Sequence, residues 1–142
     1  MGIFRAIPVH IILLIAYFFV VHLTHGGDAA AAMNVLVKQM QLPSGATIVI
    51  NAGDTFVMMG VLLLFFELMK STSSSMASVI DHLVSMIVFI GFLLAFILLP
   101  SAGHPVFLVL TLVAFVDVIA GFTITIVSAR RDISVEEGAM GR

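Results

Sequence analysis

Four long apolar runs constrain the fold of this sequence more than any other feature. They lie at about residues 7–23, 52–69, 79–99 and 106–128. Each is close to the ~20 residues that a helix needs to cross a hydrocarbon layer of ~30 Å. Lipid offers no partners for backbone amides and carbonyls, so a spanning segment must form helices or a closed barrel, and runs this long favour helices. The sequence therefore predicts one all-α integral membrane domain over residues 1–142, with four transmembrane helices.

The composition supports this class and excludes several others. Hydrophobic residues make up 61 % of the chain and charged residues only 10 %, with a net charge of −2. A soluble domain carries about 25 % charged residues. The slight negative charge gives no basis for binding nucleic acid. Because cysteine is absent, disulfides, thiolate metal sites and thiol catalysis are excluded.

The positions of lysine and arginine predict an orientation. With four spans, Arg5, Lys70, Arg130 and Arg131 fall on one side of the membrane and Lys38 on the other. Positive charge collects on the cytoplasmic side, so both termini are expected in the cytoplasm. The first run is expected to be an uncleaved span rather than a signal peptide. These features favour a bacterial inner membrane.

The connection between the first two runs is the longest. Asp28 is a suitable N-cap residue for a helix, and several apolar residues after it share one helical face, namely Met33, Leu36, Val37 and Met40. The pattern predicts a short amphipathic helix over residues 28–41 that lies on the outer interface. Residues 129–142 are expected to form a polar cytoplasmic tail.

Asp117 is the charge predicted to lie deepest in the bilayer. An ionisable residue at that depth is a functional hypothesis by default. Helical spacing places it on a stripe of mostly small residues, which comprises Ala114, Asp117, Gly121, Thr125 and Ser128. Small residues let another helix approach closely. Two interpretations follow: a packing face whose carboxyl bonds a neighbouring helix, or a relay for protons or cations.

The second apolar run carries a similar stripe. Gly53, Gly60 and Glu67 recur every seven residues, nearly two helical turns, and so share one face. This predicts a close helix crossing that ends at Glu67, which can also pair with a lysine three residues later. Asn51 and Asp54 resemble a capping pair at the start of this helix.

Five histidines raise the question of a bound cofactor. His10 and His82 are predicted at similar depths on different helices, as the two axial ligands of a b-type haem would be. His22, His25 and His104 are expected near the outer face, where neutral imidazoles could bind a metal. No tight ligand spacing supports either site, and no cofactor is assigned.

The sequence carries none of the common motifs of hydrolases, metalloproteases or nucleotide-binding proteins. The leading hypothesis is a small non-catalytic membrane subunit or scaffold, with membrane lipids and other membrane proteins, or copies of itself, as partners. The first alternative is a haem-b electron-transfer protein using His10 and His82. The second is a small proton-conducting, ion-conducting or transport module centred on Asp117.

Overall fold

The computed structural model describes residues 8–70 and 76–140, and for residues 76–79, 125 and 128–140 it describes the backbone alone. The chain is mostly helical. The described residues form four long helical segments: α1 at His10–Phe19, which continues as a π-helical turn at Val20–Thr24, α3 at Ala52–Lys70, α4 at Met76–Leu98, and α5 at Pro105–Met140. Between α1 and α3 lie the short helix α2 at Ala29–Met33 and two strands, β1 at Leu36–Gln41 and β2 at Thr47–Asn51. A 3-10 turn at Pro100–Ala102 connects α4 to α5.

Within the described residues, three helices are long and apolar enough to cross a membrane. Their apolar windows are Ala52–Lys70, Ile80–Leu98 and Pro105–Ile124, close to the predicted second, third and fourth spans. They suggest a membrane protein. The first apolar helix, His10–Thr24, is shorter than these three. At 1.5 Å per residue its described part is ~22 Å long, less than the ~30 Å core of a bilayer.

The predicted interfacial helix over residues 28–41 is wrong. The helix ends at Met33, and the chain then forms an antiparallel hairpin in which Met40 lies opposite Ile48 and Gln39 opposite Val49. Val37, Ile48, Val49 and Ile50 are β-branched and favour strands over helices. Gly45 at the turn has φ +84°, a conformation that glycine adopts without steric cost.

Helices α4 and α5 run antiparallel, whereas α3 and α5 run parallel, since Gly53 lies beside Val106 and Gly60 beside Leu110. Phe92 of α4 packs against Phe107 of α5, and Phe89 packs against Phe115, so one helix descends as the other rises. The tight turn at Pro100–Ala102 leaves the two helices no other arrangement. Helix α5 packs against both α3 and α4, while α1 packs against the same two helices.

The core at one end of the bundle is aromatic. Tyr17 of α1 contacts Phe56 of α3 and Phe107 of α5, and Phe92 of α4 packs against the same Phe107 ring at a tilt. Tyr17, Phe92 and Phe107 are fully buried. The Tyr17 hydroxyl donates a hydrogen bond of 3.1 Å to the Ser101 carbonyl, which satisfies its polar atom. We call this the hairpin end of the bundle, because β1 and β2 lie there.

Helix α5 continues beyond the apolar region. The backbone of residues 129–140, expected to be a cytoplasmic tail, extends the helix without a break as far as Met140. The sequence there contains no proline and includes the helix-favouring residues Glu136, Glu137 and Ala139, and its single glycine, Gly138, comes only two residues before the helix ends.

Candidate functional site

The buried face of α3 consists of the three residues predicted to share it. Gly53, Gly60 and Glu67 are the buried residues of this helix. A Cβ at Gly53 would lie 2.7 Å from Val106 Cγ2, and one at Gly60 would lie 3.0 Å from Leu110 Cδ2. Both glycines therefore let α5 approach closely. Because Glu67 lies on the same face of α3 as the two glycines, this close contact turns its side chain toward the other helices.

Glu67 lies at the opposite end of the bundle from the hairpin and is 2 % exposed. Its carboxylate accepts a hydrogen bond of 3.2 Å from the Val9 amide, one of the free donors before α1. Lys70 Nζ lies 2.6 Å from Glu67 Oε1 and 2.8 Å from Asp81 Oδ1. One ammonium group thus joins a carboxylate of α3 to a carboxylate of α4.

A second pair of ionisable side chains joins α1 to α5. His10 Nδ1 lies 3.7 Å from Asp117 Oδ2, and the two side chains are 2 % and 5 % exposed. Neither ring nitrogen of His10 has a hydrogen-bond partner among the described residues. The Asp117 carboxyl is close enough to Ser85, Glu67, Asp81 and Lys70 to interact with each electrostatically.

His82 lies beside this group and packs against α5. A Cβ added at Gly121 would overlap the imidazole ring of His82, so the glycine provides the space for that ring. His82 is itself 5 % exposed. Of the stripe predicted on α5, Ala114, Asp117 and Gly121 all face inward. The side chains of Thr125 and Ser128 lie outside those that the structure describes.

These side chains form one ionisable cluster, which we define as His10, Glu67, Lys70, Asp81, His82 and Asp117. All four long helices contribute to it. Among the described residues it contains three carboxyl groups, one lysine and two imidazoles. Buried charge is stable only when it is paired or neutralised by a proton. The described carboxyls outnumber the lysine, which favours a bound proton within the cluster.

The proposed haem ligands both belong to this cluster. His10 faces Asp117 and His82 packs on Gly121, so each imidazole lies against α5. No observation in the structure favours a haem between them.

The three remaining histidines do not come together as a metal site. His22 Nε2 is 3.2 Å from Ser101 Oγ, His25 Nδ1 is 2.5 Å from Thr24 Oγ1, and His104 Nδ1 accepts a hydrogen bond of 3.2 Å from the Val106 amide. Among the described residues, no group of three His, Asp or Glu side chains is placed to hold a metal ion.

The predicted capping residues lie at helix starts near the hairpin. Asp28 Oδ1 accepts a hydrogen bond of 2.9 Å from the Ala31 amide at the start of α2. Asp54 Oδ2 accepts one of 2.9 Å from the Asn51 amide, and the Asn51 carbonyl accepts one from the Thr55 hydroxyl. These carboxylates satisfy amides that the helices leave unpaired.

Sequence reasoning missed two features of the cluster. It identified Asp117 as the deepest charge but did not predict that Glu67 and Asp81 are buried beside it. It also missed the ion pair between Lys70 and Asp81. A signal was available, because both residues flank the serine-rich segment that connects two antiparallel spans, which places them at one level.

No protein-family model, curated protein or solved structure matches this chain.

Proposed function

We propose that this protein is a small proton-conducting or proton-coupled transport module of a membrane. The observation that carries the proposal is the buried His10–Asp117 pair, whose imidazole nitrogens have no hydrogen-bond partner among the described residues. A buried polar group without a partner costs about 1–3 kcal/mol. Ionisable residues that are kept inside a membrane despite such a cost commonly have a function.

The chemistry of the pair suits a proton. Histidine has two ring nitrogens, so it can accept a proton on one side and release it on the other. Proton transfer needs heavy atoms about 2.6–3.2 Å apart, or one bridging water. The 3.7 Å between His10 Nδ1 and Asp117 Oδ2 is longer than this range, so transfer within the pair needs a side-chain movement of ~0.5 Å or one bridging water.

The two ends of the bundle differ in a way that supports a directional path. Lys70 lies at the cluster and keeps 23 % of its side chain exposed, which offers contact with water at that end. Tyr17, Phe92 and Phe107 fill the interior toward the hairpin. Under this proposal the aromatic layer is the barrier that must open during conduction.

The proposal includes four crossings, with both termini cytoplasmic, in a bacterial inner membrane. The support comes from the apolar runs, the distribution of Lys and Arg, and the antiparallel order of the helices. In this arrangement the ionisable cluster lies toward the cytoplasmic face and the hairpin lies outside.

Proton flux into liposomes tests the function. Purified protein would be reconstituted with a pH-sensitive dye inside, and a potassium diffusion potential would drive the protons. We expect flux above that of empty liposomes and loss of at least tenfold in Asp117→Asn. Asp54→Asn is the matched control, since Asp54 caps a helix at the other end of the molecule. Wild-type flux equal to the empty-liposome leak, or full flux in Asp117→Asn, would refute the proposal.

A second candidate function is the membrane subunit or scaffold predicted from the sequence. The exposed hairpin favours it: Val37 is 58 % exposed and Val49 is 51 % exposed. Both strands also have one edge unpaired within the described two-stranded sheet. Exposed apolar strand edges are ready sites of association. Co-purification in mild detergent tests this candidate, and a monomer without any partner would contradict it.

A further inference from the structure

An open apolar groove runs between α1 and α3 on the outside of the bundle. One wall is a face of α1 that includes Ile12, Ala16 and Val20, which are spaced four residues apart. The other wall is a face of α3 that includes Ala52 and Met59. The cavity volume is about 440 Å³. From residue 52 to residue 63 the α3 wall is ~16 Å long.

The groove exists because its two helices touch closely at one point and carry small side chains elsewhere. A Cβ at Gly60 would lie 3.7 Å from Leu13 Cδ1, so the helices meet there. Ala16 and Ala52 then leave the space between the helices unfilled toward the hairpin. The groove lies on membrane-length apolar helices, and its walls are almost entirely hydrocarbon, so it fits an extended alkyl chain.

The hairpin carries a lysine next in sequence to a residue that lines this groove. Val37 of β1 lines the groove, and the next residue, Lys38, is exposed. Among the described residues Lys38 makes no ion pair, whereas Lys70 is bound by two carboxylates. An exposed lysine beside the end of an apolar groove complements a phosphate attached to an alkyl chain.

We infer that the groove between α1 and α3 binds one phospholipid, with an acyl chain along the groove and the phosphate beside Lys38. This site is independent of the ionisable cluster: none of the groove-lining residues belongs to the cluster. A bound lipid would also connect the hairpin to the membrane-embedded helices, since Val37 and Lys38 belong to β1. The inference does not rest on the proposed proton function.

Native mass spectrometry tests the site with two probes that have the same acyl chains. One is phosphatidylglycerol and the other is diacylglycerol, which lacks the phosphate. We expect one phosphatidylglycerol per chain in the wild type. Ala16→Phe should fill the groove and reduce binding of both probes at least tenfold. Lys38→Gln should weaken phosphatidylglycerol binding about fivefold and leave diacylglycerol binding unchanged.

Val61→Phe is the matched control, because Val61 lies on α3, is 55 % exposed and does not line the groove. It should bind both probes like the wild type. Should Ala16→Phe not fold, a photoactivatable phosphatidylglycerol on the wild-type chain provides the second measurement. Crosslinks should map to residues 12–20 and 52–63. Crosslinks spread evenly over the exposed helices, or wild-type binding by Ala16→Phe, would overturn the inference. The inference would also be overturned if the protein formed a dimer that buries the groove.

Discussion

His10 Nδ1 and Asp117 Oδ2 lie 3.7 Å apart across the contact between α1 and α5, and both side chains are buried. The pair predicts energetic coupling between two residues that are more than a hundred positions apart in the chain. A double-mutant cycle with His10→Ala and Asp117→Ala should give a coupling free energy of about 0.5–3 kcal/mol. The measurement is the free energy of unfolding in detergent micelles. His10→Ala combined with Asp54→Ala is the control and should be additive, because Asp54 lies near the hairpin. If His10→Ala and Asp117→Ala are additive within error, the contact between the two side chains does not stabilise the protein.

Gly121 is predicted to be intolerant of any side chain. Gly121→Ala places a methyl group where the His82 ring lies, so the ring or the helix must move. Overpacking of this kind costs about 1–3 kcal/mol. Gly91→Ala is the matched control, because its Cβ would meet Leu14 Cδ2 at an ordinary distance of 3.8 Å. Thermal unfolding in detergent should separate the two variants by several degrees, and equal midpoints would contradict the packing described for His82.

The stripes of α3 and α5 show what could be predicted from the sequence. The seven-residue spacing of Gly53, Gly60 and Glu67 identified the buried face of α3, because residues seven positions apart lie on the same side of a helix. The spacing of Ala114, Asp117 and Gly121 placed Asp117 on the packing face of α5 but did not reveal which side chains of other helices it meets. Its neighbours Glu67 and Asp81 therefore emerged only from the packing of three helices.

The hairpin could not be recognised from helical periodicity. Met33, Leu36, Val37 and Met40 fit a helical face, and that pattern outweighed the β-branched residues nearby. No strand is predicted from the sequence at Thr47–Asn51, and without that strand β1 has no partner to pair with. Strand pairing is a non-local property, and the spacing within one segment does not report it.

Gly53 offers a test in which one substitution should rescue another. Gly53→Ala places a Cβ 2.7 Å from Val106 Cγ2 and should separate α3 from α5 at this crossing, at a cost of about 1–3 kcal/mol. Val106→Ala removes the clashing methyl groups, so the double variant should regain most of that loss. Unfolding free energies of the single and double variants give the result. A double variant no more stable than Gly53→Ala would show that Val106 is not the limiting contact.

Lys70 is predicted to hold α3 and α4 together through its two carboxylates. Lys70→Met leaves Glu67 and Asp81 without this cation. Loss of one partner from a buried ion pair costs about 3–5 kcal/mol, and we expect about 1–3 kcal/mol here, because Lys70 is 23 % exposed and water screens part of the charge. Adding Glu67→Gln and Asp81→Asn to Lys70→Met should recover stability. Lys38→Met controls for the loss of a surface lysine and should leave the unfolding midpoint unchanged.

Phe107 lies at the centre of the aromatic layer and contacts rings from two other helices. It is fully buried, whereas Phe66 on α3 is 60 % exposed. Phe107→Ala should therefore cost about 3–5 kcal/mol, the usual range for a buried phenylalanine. Phe66→Ala should cost well under 1 kcal/mol, because detergent or lipid covers the site in both variants. Under the proposed function, Phe107→Ala also thins the barrier toward the hairpin and should raise the proton leak into liposomes above the wild-type rate. A leak equal to wild type in a folded Phe107→Ala protein would argue that protons do not cross this layer.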